Sequence, residues 1–415
     1  MNDGEWGIPE GQLFAQLESL WAVKDYPPYR NCVRLIGVDR SAFESASYNS
    51  SWGCRTFVID IDWRDIGEIG PPPFWAMYGN WRGNGLHFTD LEDALPRDRW
   101  FKVEYEVVRE FSSSYAYPAF QAADPSYIRV RDISPVEGAK VAPIAAASSV
   151  ALLPAIAEQA QCSLTTFHVG QGMCSVFHGS RTGYILDAGA GTPVRRKQYL
   201  AGLHDDGKPF VNELGPLVSE LEEAAAILSH PDSDHWRLLD WDAAVLAKVR
   251  SVFLPAGEPA LAFSAPAVKP KVVGVEDHVF NLNSRNWLDV RRSKPTASDK
   301  NGECLVTAVY CEGGRGLLPG DYVYERMAED GNRAIVSMAL DRFDAVVVPH
   351  HGDEASAAQV VAPRHPLQSK AFFSAGTHTG YGHPTPVSVA SHRRRDFVVI
   401  DDHLCRDVLG KRLLP

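Results

Sequence analysis

Ser229-His230-Pro231-Asp232-Ser233-Asp234-His235 carries more information about the architecture than any other segment of this chain. It follows the apolar run Ala224-Ala-Ala-Ile-Leu-Ser229, a buried strand by composition, so its polar residues begin where a strand ends. Two imidazoles and two carboxylates in so short a loop can converge on a divalent cation. Neutral histidine and carboxylate suit Zn2+ or Mn2+, and oxygen-rich shells favour harder ions than all-sulfur sites do. The plain alternative is a solvated Asp/His loop.

Four further elements weigh against that alternative. Upstream, Ile185-Leu-Asp187-Ala-Gly189 sets a carboxylate at a strand end. Downstream, Leu317-Leu-Pro-Gly-Asp321 places another after a glycine turn, and Val346-Val-Val-Pro-His350-His351-Gly352-Asp353 presents paired histidines. Gly380-Tyr-Gly-His383-Pro384 adds a histidine on a turn. Each singly reads as a turn or a cap; five in this order read as a metal site. Strands alternate with helices around them: strands over 162–167, 183–187, 224–229, 249–254, 316–318 and 343–348, and helices over 236–247 and 387–392. Polar residues then sit at strand ends, where layered α/β sheets place their sites.

These motifs resemble the metallo-β-lactamase fold hydrolases, and within them the hydrolase domain of ComEC-type competence proteins. That branch reads DVGQGD…ILIDAG…SHPDADH…LLTGD…VPHHGS…YGHP. The counterparts here are His168-Val-Gly-Gln-Gly-Met173, Ile185–Gly189, Ser229–His235, Leu317–Asp321, Val348–Gly352 and Tyr381–Pro384. The likeness covers about residues 162–410. The family's HxHxDH pattern appears with aspartate at its second ligand position. The usual histidine between the two metal motifs has no counterpart, Asn301-Gly-Glu-Cys304 standing in that region. His168 and Met173 replace two acids of the branch pattern.

The resemblance implies an α+β, αββα sandwich with one or two divalent ions, Zn2+ or Mn2+. His230, Asp232 and His350 would hold one ion, and Asp234, His235 and His383 the other, with Asp321 bridging. Which of His350 and His351 is the ligand stays open. A metal-bound hydroxide would be the attacking group. Asp234, Asp321 and Asp187 are the carboxylates assigned to the chemistry, Asp187 by orienting a ligand or as a plain strand-end cap. His168 lies either beside the metals or packed and hydrogen-bonded elsewhere. Gln171, between Gly170 and Gly172, is a candidate for contact with substrate, or part of an ordinary hairpin turn.

Composition bounds the rest. The chain has 415 residues, 45% of them hydrophobic and 22% charged, with a formal net charge of −11. That length predicts two or three domains, and that charge excludes broad non-specific attraction to polyanions. Three basic clusters break the pattern: Arg195-Arg196-Lys197, Arg291-Arg292-Ser293-Lys294 and Arg393-Arg394-Arg395. Arg393, Arg394 and Arg395 are candidates for phosphate contact, or are placed at a helix C-terminus by its dipole. Seven scattered cysteines without a CxxC pair, and an acidic start without a recognisable leader, predict a cytoplasmic protein without a disulfide framework. The apolar stretch 141–157 is broken by Pro143 and Pro154, so no membrane span is expected.

Seven of the ten tryptophans fall in the first 100 residues, and thirteen of the fourteen histidines lie from His168 onward. The expected division is therefore a β-rich accessory domain over 1–135, a linker over 136–160 and the hydrolase domain over 161–415. A short helix around 149–158 is the alternative to an open linker. In the first part, alternation predicts strands over 57–63, 100–107 and 127–131 and a helix over 13–23, with Gly70-Pro-Pro-Pro73 as punctuation.

The function expected is metal-dependent hydrolysis of a phosphodiester, as a nuclease on DNA or RNA. ComEC-type domains are associated with nuclease chemistry, and their stand-alone relatives occur in bacterial antiviral defence operons. The alternatives are hydrolysis of a small cyclic nucleotide or ester, and a non-catalytic recognition or scaffold role. Nucleic acid or a nucleotide is the expected substrate partner, with a protein partner for the N-terminal domain.

Overall fold

A computed structural model describes residues 7–23, 31–62, 65, 98–121, 124–150, 152–296, 302–377 and 382–415. The glycine–proline punctuation at 70–73, Asn301, Gly380 and Tyr381 lie outside the described residues. The chain gathers into two compact units. One comprises residues 1–143 and 259–270, and the other 144–258 and 271–415.

The first unit is a closed barrel of six strands: β1 (Gln12–Val23), β2 (Asn31–Val38), β3 (Thr56–Asp62), β4 (Trp100–Val107), β5 (Ser114–Pro118) and β6 (Ser126–Val136). Their order around the barrel is β1-β2-β3-β5-β6-β4. The region expected as a helix over 13–23 is strand β1. Leu13 and Leu17 are spaced for a helix face, yet Leu13, Ala15 and Leu17 also alternate, and pairing with β2 and β4 selects the period of two. Inside lie Leu35, Phe57, Ile59, Phe101, Val103 and Ile128. Arg34 and Asp60, opposite each other on β2 and β3, form a fully buried two-pronged ion pair with contacts of 2.7 and 2.6 Å. The segment 259–270 completes this unit: Thr56 Oγ1 donates to the carbonyl of Ala262, Cys54 N donates to Ser264 O, and Phe120 packs on Phe263.

The second unit is built from β7 (Ser163–His168), β8 (Cys174–His178), β9 (Thr182–Ala188), β10 (Glu223–Ile227), β11 (Val249–Pro255), β12 (Val272–Val275), β13 (His278–Asn283), β14 (Asn286–Arg292), β15 (Leu305–Cys311), β16 (Gly314–Leu318), β17 (Arg342–Phe343), β18 (Ala345–Val347), β19 (Ala362–Pro363), β20 (Lys370–Phe373), β21 (Val398–Asp401) and β22 (Leu409–Leu414). Two mixed seven-stranded sheets form, β12-β11-β10-β9-β8-β7-β22 and β13-β14-β15-β16-β18-β20-β21. Between them, Phe177, Tyr184, Leu186, Ile227 and Phe253 of the first sheet pack with Phe280, Leu288, Leu305, Val347 and Phe372 of the second. On the second sheet's other face, Val306, Ala308, Val346 and Phe373 meet Tyr324, Met327, Ile335 and Met338 of the helices Tyr324–Ala328 and Arg333–Leu340. Helices Arg237–Trp241 and Ala243–Lys248 lie against β9, β10 and β11. The architecture is thus α+β, a sandwich of two sheets with helices outside. The single helix expected over 236–247 is split at Asp242, whose carboxylate accepts from Ala244 N and Val245 N and starts a new helix.

Residues 144–160 are tied into this second unit. Ile144 N donates to Glu258 O, Ala147 N to Gly274 O and Ile156 N to Leu282 O, and no helix forms among the described residues of 149–158. Among the described residues no helix is long and apolar enough to cross a membrane.

Candidate metal centre

The candidate ligands and their supports lie at or beyond the C-terminal ends of strands. Asp187 stands near the end of β9, Ser229 and His230 follow β10, Asp321 follows β16, His350 and His351 follow β18, and Ser374 follows β20. In these regions β9 pairs in parallel with β10, and β16, β18 and β20 pair in parallel with one another, so their ends emerge on one edge of their sheets.

Asp321 sits at the centre, buried. Its Oδ1 lies 3.3 Å from His235 Nε2 and 3.8 Å from His351 Nε2. Its Oδ2 lies 3.8 Å from both His230 Nε2 and His350 Nε2. Each carboxylate oxygen therefore faces a different pair of imidazoles. Asp232 Oδ2 approaches His230 Nε2 at 3.7 Å, and Asp234 Oδ2 approaches His351 Nε2 at 3.2 Å. His230, His235 and Asp321 offer ligand atoms within 4.8 Å of one another, and so do Asp234, His235 and His351.

The far side of each imidazole is held. Asp187 Oδ2 lies 3.0 Å from His235 Nδ1, while its Oδ1 accepts from Ser229 N at 2.7 Å. Asp353 Oδ2 lies 3.1 Å from His350 Nδ1, and the carbonyl of Ser374 accepts from His351 Nδ1 at 2.7 Å. Ser229 Oγ stands 3.1 Å from His230 Nδ1. With Nδ1 engaged, each ring turns its Nε2 toward Asp321. Three of those nitrogens (on His230, His235 and His351) and Asp321 Oδ1 are buried and make no hydrogen bond. Buried polar atoms left this way are costly, and four of them converging is the arrangement a bound cation satisfies. The donor set, imidazole nitrogen and carboxylate oxygen, fits Zn2+, Mn2+ or iron.

Backbone strain accompanies the arrangement: His350 and His351 both adopt left-handed conformations, φ 48° and 55°, and Asp187 does so at φ 53°. Two consecutive non-glycine residues there splay their side chains, letting adjacent histidines address opposite oxygens of Asp321. The metal loop is also pressed against glycine backbone. A Cβ on Gly189 would lie 1.5 Å from the carbonyl oxygen of Asp234, and Met173 N donates to that same oxygen at 3.1 Å. Arg237, buried, donates to Ala190 O and Ser233 Oγ and clamps the two loops together.

Electrostatics follow from this crowding. Burial opposes charge on Asp321, but His235, His350 and His351 outweigh it and hold the carboxyl well below the usual range. Burial likewise opposes the His350 cation, and Asp321 and Asp353 overcome it, raising the group to about 9. His383 goes the other way: burial, with His351 and His350 nearby, lowers it to about 3.

The structure brings together His230, Asp232, Asp234, His235, Asp321, His350 and His351, with His383 beside the pair at ring separations of 5.7 Å from His350 and 6.3 Å from His351. His351 lies beside Asp234 and His235, the two residues with which the resemblance groups His383. Asp187 touches a ligand ring and the loop backbone. His168 is in neither ligand group: its Nε2 meets the carbonyl of Cys405 at 2.8 Å. Gln171 is buried, with its backbone N bonded to Thr192 O. Arg393, Arg394 and Arg395 close the helix Pro386–Arg394, whose nine residues span about 13 Å; His383 precedes its other end. Asp353, Ser374 and Arg237 were given no role by sequence. Asp353 stood in the quoted histidine run, whereas the other two act through tertiary contacts with no local signature.

Fold and site together define a two-sheet α+β protein with a histidine–aspartate cluster that could hold one or two cations. No family model matches the chain, and no curated protein does. Among solved structures, a point mutant of the CmlA β-hydroxylase is 12% identical over 60% of this chain and 54% of its own, with a TM-score of 0.39. A metallo-β-lactamase fold protein, YhfI from Bacillus subtilis, is 9% identical over 60% of this chain and 99% of its own, at 0.31. CmlA from Streptomyces venezuelae, described as a diiron β-hydroxylase, scores 0.37 at 12% identity over 60% of this chain and 54% of its own. The chain thus spans about half the length of CmlA, and scores this low establish neither shared activity nor shared substrate.

Proposed function

We propose that this protein is a metal-dependent hydrolase of the metallo-β-lactamase fold that cleaves phosphodiesters, as a nuclease on DNA or RNA. The observation that carries the reading is the position of Asp321, each oxygen facing its own pair of imidazoles. His230, Asp232, His350 and Asp321 Oδ2 would hold one cation, and Asp234, His235, His351 and Asp321 Oδ1 the other. When bound, such cations activate water near neutral pH and neutralise charge on attacking and leaving oxygens. Asp187, Asp353, the Ser374 carbonyl and Ser229 Oγ keep each Nδ1 engaged, so the ligand nitrogens need no reorganisation during turnover. The order of motifs along the chain supports the hydrolase family, and a place in antiviral defence rests on that resemblance alone.

Incubating the purified protein with Mn2+ or Zn2+ and labelled single- and double-stranded DNA, RNA and cyclic dinucleotides tests the reading. Cleavage of the polymers, abolished by Asp321→Ala, is the expected result. Cleavage of cyclic dinucleotides only would move the assignment to a small-substrate phosphodiesterase, a reading favoured by the placement of Arg393–Arg395 at the end of their helix away from His383. Metal bound without turnover of any phosphoester would sink both.

A further inference from the structure

We infer that a groove on the outer helical layer of the second unit is a docking site for an acidic, apolar peptide segment of a partner protein. The groove encloses about 480 Å3, with Ala339, Leu340, Val360 and Val361 among its walls and Arg394 and Arg395 at one side. Leu340, at the end of the helix Arg333–Leu340, is 77% exposed. Gln359 also lines the groove, with a left-handed backbone at φ 49°.

Charge selects the occupant. In the other two basic clusters, Arg195 is paired with Asp205, Arg291 with Asp289, and Arg292 with Glu258 and Glu303. Among the described residues no carboxylate pairs with Arg393, Arg394 or Arg395, all exposed. Arg394 is steadied by donating to Ser391 Oγ at 2.9 Å. The helix dipole favours cations at this terminus, but it does not require an exposed leucine or an aliphatic groove beside them. On a chain of net charge −11, this is a local site attractive to carboxylates. Aliphatic walls favour a peptide over a nucleic-acid strand, which is held by stacking on aromatic rings that this groove lacks among its lining residues.

Fluorescence anisotropy with the full-length protein tests it, using a labelled decapeptide of alternating Glu and Leu, its Lys/Leu counterpart and a ten-nucleotide oligo(dT). The Glu/Leu peptide should bind at least tenfold more tightly than the Lys/Leu peptide. R394E/R395E should reverse that preference, and Leu340→Ser should weaken the Glu/Leu peptide at least threefold. A thermal melt of the double variant matching wild type shows that the variant is folded. Equal binding of both peptides, or undiminished Glu/Leu binding by R394E/R395E, would overturn the inference. So would tighter binding of oligo(dT) at the same arginines, or a concentration-dependent self-association removed by R394E/R395E, which would assign the groove to nucleic acid or to a second copy.

Discussion

Asp187 shows how much of the centre depends on residues that are not themselves ligands. One oxygen accepts from Ser229 N and the other faces His235 Nδ1. In Asp187→Asn an amide N–H would meet that nitrogen, inverting the hydrogen bond that sets the ring's tautomer. Metal affinity is expected to fall about 10–100-fold with little change in melting temperature; titration with a fluorescent chelator as competitor reads the first and a thermal melt the second. Unchanged affinity would reduce Asp187 to a strand-end cap. Gly189 makes a steric counterpart. The place of its missing Cβ is occupied by the carbonyl oxygen of Asp234, so Gly189→Ala should destabilise the second unit by about 3 kcal/mol and displace Asp234 from its partners. A denaturant midpoint equal to wild type would contradict the close approach of these two loops.

At the scale of an element, the helix Pro386–Arg394 carries a buried histidine outside the metal cluster. His392 contacts Ser388 O through Nδ1 and Tyr324 OH through Nε2, with Phe373 and Phe397 around it. Burial lowers its pKa to about 4 from an ordinary 6.5. Above pH 6.5 folded and unfolded chains are both neutral here. Between 6.5 and about 4 the unfolded chain binds a proton that the folded one excludes, so this stabilisation is lost as pH falls. The loss amounts to about 3 kcal/mol at most. Urea melts from about pH 7 to about pH 4.5 should show a shallower decline for His392→Leu than for wild type; parallel declines would remove His392 as a contributor. This helix, expected over 387–392, runs over Pro386–Arg394, where Thr385 caps it by accepting from Ser388 N and Pro386 begins it. Strand β1 was not legible in sequence, because its leucines satisfy both periods and only its barrel neighbours choose between them.

For the whole molecule, the first unit is discontinuous in sequence. Ala262, Phe263 and Ser264 supply contacts to Thr56, Phe120 and Cys54. Replacing 259–270 by a Gly/Ser linker of equal length should therefore lower the barrel's unfolding temperature while metal content stays intact, as differential scanning calorimetry and elemental analysis would show. An unaltered barrel transition would mean the segment only rests there. Limited proteolysis locates the boundary itself. Cleavage confined to 136–143 agrees with division at 143, and cleavage within 144–160 with a linker extending to 160.

The candidate groups for a cation site were already legible along the chain. A cation site is announced by histidines and aspartates that recur directly after short apolar runs, and both the period of those runs and the identity of the ligands are local properties. So His230, Asp232, Asp234, His235, Asp321 and the His350–His351 pair could all be named as candidate ligands before any fold was known. Which oxygen of Asp321 each imidazole addresses was settled only in three dimensions. That outcome depends on left-handed backbone at His350 and His351, on acceptors supplied by Asp353 and the Ser374 carbonyl, and on glycine loops meeting the Asp234 carbonyl. The fate of the basic clusters was equally a tertiary matter. Arg292 is paired with Glu258, beyond the end of β11, and with Glu303, just before β15, while Arg394 and Arg395 face a groove. Charge reads the same in either setting along the chain, and only packing brings a carboxylate within reach or leaves it out.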